Sequence, residues 1–129
     1  MKRSVFAISI FLGLQIVQQS ESQTLYKFSN NCLTIDNGFI SRIINFSNDS
    51  VFSGGLYLRG IERNYLQPRS DEFQLILNDE KISGYTGWKI VSCYPESDGH
   101  NGNGAVLKLT GKGLAEGIEI SISYLTYPG

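Results

Sequence analysis

Residues 118–124 constrain the fold more than any other stretch. Ile118, Ile120, Ile122 and Tyr124 alternate without a break against Glu119, Ser121 and Ser123. Successive side chains of an extended chain point to opposite faces, so only a strand separates this sequence into an apolar and a polar side. A sheet covered on one face needs that pattern, and such sheets are antiparallel. Helical spacing is absent after residue 22.

Shorter segments repeat the theme. Cys32-Leu33-Thr34-Ile35 leads through Asp36-Asn37-Gly38 into residues 39–46, and an Asn-Gly step between apolar runs is a strong hairpin signal because primed turns need positive φ. Residues 47–55 read as a polar loop, and Leu56-Tyr57-Leu58 as a short strand. Residues 72–77 alternate, with Phe73, Leu75 and Leu77 on one face, and Asn78-Asp79-Glu80 turns them back into Lys81-Ile82-Ser83. Residues 88–93 and 105–110 complete the set. Short strands joined by Gly and Asn turns predict an all-β fold, an antiparallel β-sandwich. Neither a repeat nor a shift in composition marks a second domain.

The first 22 residues stand outside that unit. Met1-Lys2-Arg3 is basic, residues 5–17 are apolar apart from Ser9 and Gln15, and small Ser20 and Ser22 follow. This is the layout of a secretory signal peptide, a short helix to be removed after Ser22. The apolar run falls short of the roughly 20 residues of a bilayer-spanning helix, so no stable membrane span is expected after cleavage. Residues 23–129 would then be secreted or periplasmic.

Charge and composition remove several function classes. Eleven basic against twelve acidic residues, net −1, give no grip on nucleic acid. A hydrophobic share of 41% with seven Tyr and seven Phe is not that of a disordered chain. One His and two Cys cannot build the usual zinc site, so neither a metal nor a cofactor is expected. In an oxidising compartment Cys32 and Cys93 can form a disulfide, adding roughly 4 kcal/mol by the chain-entropy estimate. The alternative is two separate thiols packed as small apolar groups.

Catalytic patterns do not assemble. His100 is the only imidazole and sits among Gly99, Gly102 and Gly104, where a general base would not be held in place. Residues 99–104 are glycine-rich without opening a helix, so they lack the aligned N–H groups of a phosphate site. Read as a calcium loop they would begin at Gly99 and end at Thr110 in place of the bidentate Glu. Asp71 and Glu72 are adjacent, so on an extended chain they point to opposite faces. Glycoside hydrolysis needs two carboxyls facing one another across roughly 5–10 Å. No catalytic residue is assigned. Trp88, next to Tyr85 at the edge of a loop, is the candidate substrate-binding residue, its indole stacking on a sugar; the alternative is a core position. Asn45-Phe46-Ser47 and Asn48-Asp49-Ser50 also fit the N-glycosylation pattern.

Four stretches together resemble a known family. They are the opening hairpin of residues 32–46, the segment 70–78 with its Glu72-Phe73 step, Trp88, and residues 118–124 followed by Tyr127-Pro128-Gly129. They look like the amino-terminal β-sandwich of α-galactosidases of glycoside hydrolase family 36. The resemblance implies part of a galactose-mutarotase-like supersandwich, packed in that family against a (β/α)₈ barrel that carries two catalytic aspartates. Residues 1–129 hold no such barrel, so none of the family's catalytic positions is carried over. The expected role is therefore the non-catalytic sandwich portion of a secreted α-galactosidase-like enzyme, with galactosides reached through the whole enzyme. The alternative is a self-contained carbohydrate- or protein-binding β module. A partial sandwich leaves strand edges open, and self-association through them is a further expectation.

Overall fold

The structure is a computed structural model and describes residues 25–67 and 69–128. The expected signal peptide at 1–22 lies outside the described residues. Ten strands follow in order: β1 (Leu25–Ser29), β2 (Cys32–Asp36), β3 (Ile40–Ser47), β4 (Ser50–Leu58), β5 (Ser70–Asp71), β6 (Gln74–Leu77), β7 (Glu80–Ser83), β8 (Trp88–Ser97), β9 (Asn103–Gly111) and β10 (Glu119–Thr126). One 3-10 turn, Gly113–Ala115, precedes β10. The protein is all-β, and every strand pairing is antiparallel.

Asparagine makes the hairpins. β1–β2, β3–β4 and β6–β7 reverse over Asn30-Asn31, Asn48-Asp49 and Asn78-Asp79, with φ between 51° and 63° at all six positions. Both central residues in the left-handed region define a type I′ turn, whose twist matches that of the strands it joins. Asn and Asp tolerate this region better than other side chains. The β2–β3 hairpin differs from expectation by one residue. It turns over Gly38-Phe39, with Gly38 at φ 85°, and leaves Asn37 at the strand end.

A five-stranded sheet, β1-β2-β3-β4-β5, faces a three-stranded one, β10-β9-β8. Leu33, Ile35, Ile44 and Val51 from the first meet Leu107 and Leu109 from the second, all at 1% exposure or less. Trp88 and Phe46 close the same core. On β10, Ile118, Ile120, Ile122 and Tyr124 pack against it, and Glu119, Ser121 and Ser123 are exposed, as the alternation predicts.

Two expectations are corrected. Residues 47–55 are not a loop: from Ser50 they run as β4, with Val51, Phe52 and Ser53 buried. Their Ser, Asn and Gly content imitates a loop, but the polar pair Asn48-Asp49 is only the turn. A bulge near Gly54, where Ile43 opposes Gly55 and Ile44 opposes Ser53, shifts the phase of β4 and hides its alternation. The second correction concerns β6. Leu75, Ile76 and Leu77 are all exposed, because β6–β7 is a separate two-stranded hairpin. Ile82 on β7 still reaches the core at 3% exposure, and Phe73, just ahead of β6, packs inward edge-to-face on Trp88 with ring centroids 5.2 Å apart.

Candidate functional site

The two sheets enclose one charged cluster. Arg42 shares the inward phase of Ile44 and Phe46 on β3, which brings a cation to an otherwise apolar face. Its Nη2 donates to Glu72 Oε2 at 2.9 Å and to Ser53 Oγ at 2.9 Å. The Ser53 hydroxyl, on the fully covered part of β4, donates to the same Glu72 oxygen at 2.5 Å. From the opposite sheet the Tyr124 hydroxyl donates to Glu72 Oε1 at 2.9 Å. The Glu72 side chain is 5% exposed and that of Arg42 25%. Glu72 follows β5 directly, and the pairing of β5 with β4 through Phe52–Asp71 and Ser53–Ser70 carries the carboxylate to this place.

Both Glu72 oxygens are therefore occupied by donors. Burial, then the charge and hydrogen bond of Glu72, push the Tyr124 hydroxyl far above the ordinary tyrosine range, with Arg42 opposing. A carboxylate held this way accepts hydrogen bonds and balances a cation. Its lone pairs are not directed at an open cleft, so the arrangement suits cohesion between sheets better than proton transfer.

Trp88 is 2% exposed. Its Nε1 donates to the Ser83 carbonyl at 2.8 Å, and Phe73 covers a ring edge. Trp88 thus occupies the core position weighed above, with almost none of its surface available for stacking on a sugar. Tyr85, its sequence neighbour, stacks instead on Phe52, with centroids 5.8 Å apart.

Cys32 and Cys93 are both free thiols. On β2 the inward positions are Leu33 and Ile35, so Cys32 lies on the outer face, where its Sγ approaches the Thr34 hydroxyl at 3.8 Å. Cys93 packs against the core from β8, and burial raises its thiol above the ordinary value. One thiol faces out of the five-stranded sheet and the other faces in, which is why the pair does not bridge.

The 98–102 loop is organised by Asp98. Its Oδ1 accepts from the His100 N–H at 2.8 Å and the Gly102 N–H at 3.0 Å. These bonds, the one from His100 first, hold its carboxyl below the usual range, and the Tyr127 hydroxyl beside it is raised in turn. The His100 ring nitrogen Nδ1 lies 3.3 Å from the Asp98 carbonyl, with no nucleophile in the arrangement. Among the described residues no group of three or more His, Cys, Asp or Glu is placed to hold a metal ion. No helix among them is long and apolar enough to cross a membrane.

An open groove of about 360 Å³ lies at the turn end of β2, β3 and β4, lined by Asp36, Phe39, Ser41, Tyr57 and Arg59 among others. Asn37, buried beside it, fixes the turn that carries Phe39. The Asn37 side-chain oxygen accepts from the N–H groups of Phe39 and Ile40, and its amide donates to the Tyr127 carbonyl at 3.0 Å. Phe39 is left 48% exposed above the turn. The Arg59 N–H donates to the Phe39 carbonyl at 2.8 Å, and its guanidinium reaches the Gly38 carbonyl at 3.4 Å.

Sequence reasoning placed Glu72 at a strand start and missed its partners. The one available signal was Arg42, a lone charge in phase with Ile44 and Phe46. Phe39, Tyr57 and Arg59 carried no signal, since turn shape alone brings them together. No protein-family model, no curated protein and no solved structure matches this chain.

Proposed function

We propose that this chain is the non-catalytic amino-terminal β-sandwich of a secreted α-galactosidase-like glycoside hydrolase. The observation that supports the reading is the meeting of the segments that resemble that family. Arg42 from the opening hairpin, Glu72 from the Glu-Phe step and Tyr124 from the closing strand share one set of hydrogen bonds. Phe73 rests on Trp88, and the Tyr127 carbonyl is held by Asn37. In such a role the sandwich supplies a rigid face for a barrel, and the chemistry resides in the barrel. The sealed state of Glu72 agrees with a part that does no acid–base work of its own.

The test is made on the product of the native locus. An affinity-tagged native product should hydrolyse an aryl α-galactoside, while residues 1–129 produced alone should not. A native product without glycosidase activity sinks the reading.

The groove favours a second reading, a self-contained carbohydrate-binding module. Exposed Phe39 beside Tyr57 offers apolar surface to a sugar ring, and Asp36, Ser41 and Arg59 offer partners for its hydroxyls. On this reading the isolated chain binds melibiose in a calorimetric titration and Tyr57→Ala abolishes the heat. No heat from the unmodified chain rejects it.

A further inference from the structure

We propose that the outer edge of β10 is the contact between two copies of this chain, paired antiparallel about a twofold axis through Ile122. Among the described residues the three-stranded sheet has β8 as one margin and β10 as the other. The two margins are built differently. β8 carries Pro95, which has no N–H to offer, an irregular register between Ile90 and Ser92, and Lys89. Proline, bulges and lysine are the devices that blunt a sheet edge against unwanted pairing. β10 has none of them. It runs for eight residues in unbroken register with β9, and its single charge, Glu119, stands at its start.

The cover of the core also thins at β10. Leu107 and Leu109 on β9 are 0% and 1% exposed, whereas Ile118, Ile120, Ile122 and Tyr124 beside them are only partly buried. One more strand in the same sheet would complete their burial.

A second β10 fits that place by its own pattern. Directly opposed residues of antiparallel strands share a face. Rotation about Ile122 sets Ile122 against its counterpart, Ile120 against Tyr124, and Ser121 against Ser123. From Ile120 to Tyr124 the inner row is then built of isoleucine methyls and tyrosine rings, and the outer row opposes hydroxyl to hydroxyl. Glu119 meets Leu125, so the two carboxylates stay apart. A slip by one residue in either direction would oppose Ile122 to a serine and turn its apolar row against the polar one, which fixes the register. The contact is isologous, closes on itself and extends the three-stranded sheet through both copies.

Sedimentation velocity on the full chain over a concentration series tests the contact. Ser121 and Ser123 are exposed, and Ser121 stands opposite Lys108 on β9, so the two variants below share the same lysine neighbour within the chain and differ only at position 123. The unmodified chain should be a reversible dimer. S121K/S123K sets lysine against lysine twice and should weaken dimerisation about tenfold or more. S121K/S123E sets lysine against glutamate twice in this register and should dimerise at least as well as the unmodified chain. Thermal melts followed by circular dichroism check that both variants fold. A monomer at every concentration overturns the proposal, as would be the case if β10 takes its neighbour from another protein. A dimer insensitive to the double lysine overturns it as well, and so does equal weakening by both variants.

Discussion

Glu72 receives three donors from three elements, and each can be removed singly. Glu72→Ala strands the Arg42 guanidinium and the Tyr124 hydroxyl in a partly dry interior, and the loss should be about 2–3 kcal/mol, read from urea unfolding. Tyr124→Phe removes one neutral donor to a charged acceptor and should cost about 1–2 kcal/mol near neutral pH. Its pH dependence carries the sharper signature. The folded state holds the Tyr124 proton well above the ordinary range, while the unfolded chain releases it near pH 10. The stabilisation from that shift is complete below about pH 10 and is lost as pH rises further, by up to about 1.4 kcal/mol per pH unit. The gap between the unmodified chain and Tyr124→Phe should therefore narrow above pH 10. A constant gap to pH 11 would show that the hydroxyl is not shielded.

Strand pairing depends on places where no side chain fits. A Cβ on Gly104 would stand 1.7 Å from the Tyr124 carbonyl oxygen, inside the β9–β10 ladder. Gly104→Ala should cost about 1–3 kcal/mol and should selectively raise hydrogen exchange along β10. At the turns, Asn48 occupies φ 51°, and Asn48→Ala should lose about 1 kcal/mol of stability in a thermal or urea melt. The same turns explain what could be read in advance. β10 and β2 were legible from side-chain alternation, and β9 from a short apolar run between glycine-rich turns. β4 was not, since a bulge breaks its alternation and a two-residue Asn-Asp turn looks like the start of a loop. β6 was misjudged in the opposite sense: Leu75 and Leu77 alternate correctly but stay 37% and 42% exposed, while Ile82, paired with Leu75, is the residue of that hairpin in the core. Arg42, Ser53, Glu72 and Tyr124 lie far apart in sequence, and only the facing of two sheets unites them. Local pattern cannot encode a meeting across layers.

The whole molecule reports on itself through Trp88, its only tryptophan. Buried at 2% and bonded to Ser83, that indole should emit at short wavelength, resist quenching by acrylamide, and shift to the red in a single step with loss of β-sheet ellipticity. Trp88→Ala should remove about 3–5 kcal/mol, because the core has nothing to refill the space beneath Phe73. A substitution as mild as a surface change would return the indole to solvent. Asn37 gives the molecule a slower record of its history. Asn-Gly steps are the sites at which polypeptides age soonest by deamidation, through attack of the following backbone nitrogen on the side-chain amide. Here that amide is clamped at both ends and 6% exposed, so attack must wait until the β2–β3 turn comes apart. The fraction of chains carrying aspartate or isoaspartate at Asn37 is thus a chemical clock that advances only while the protein is open.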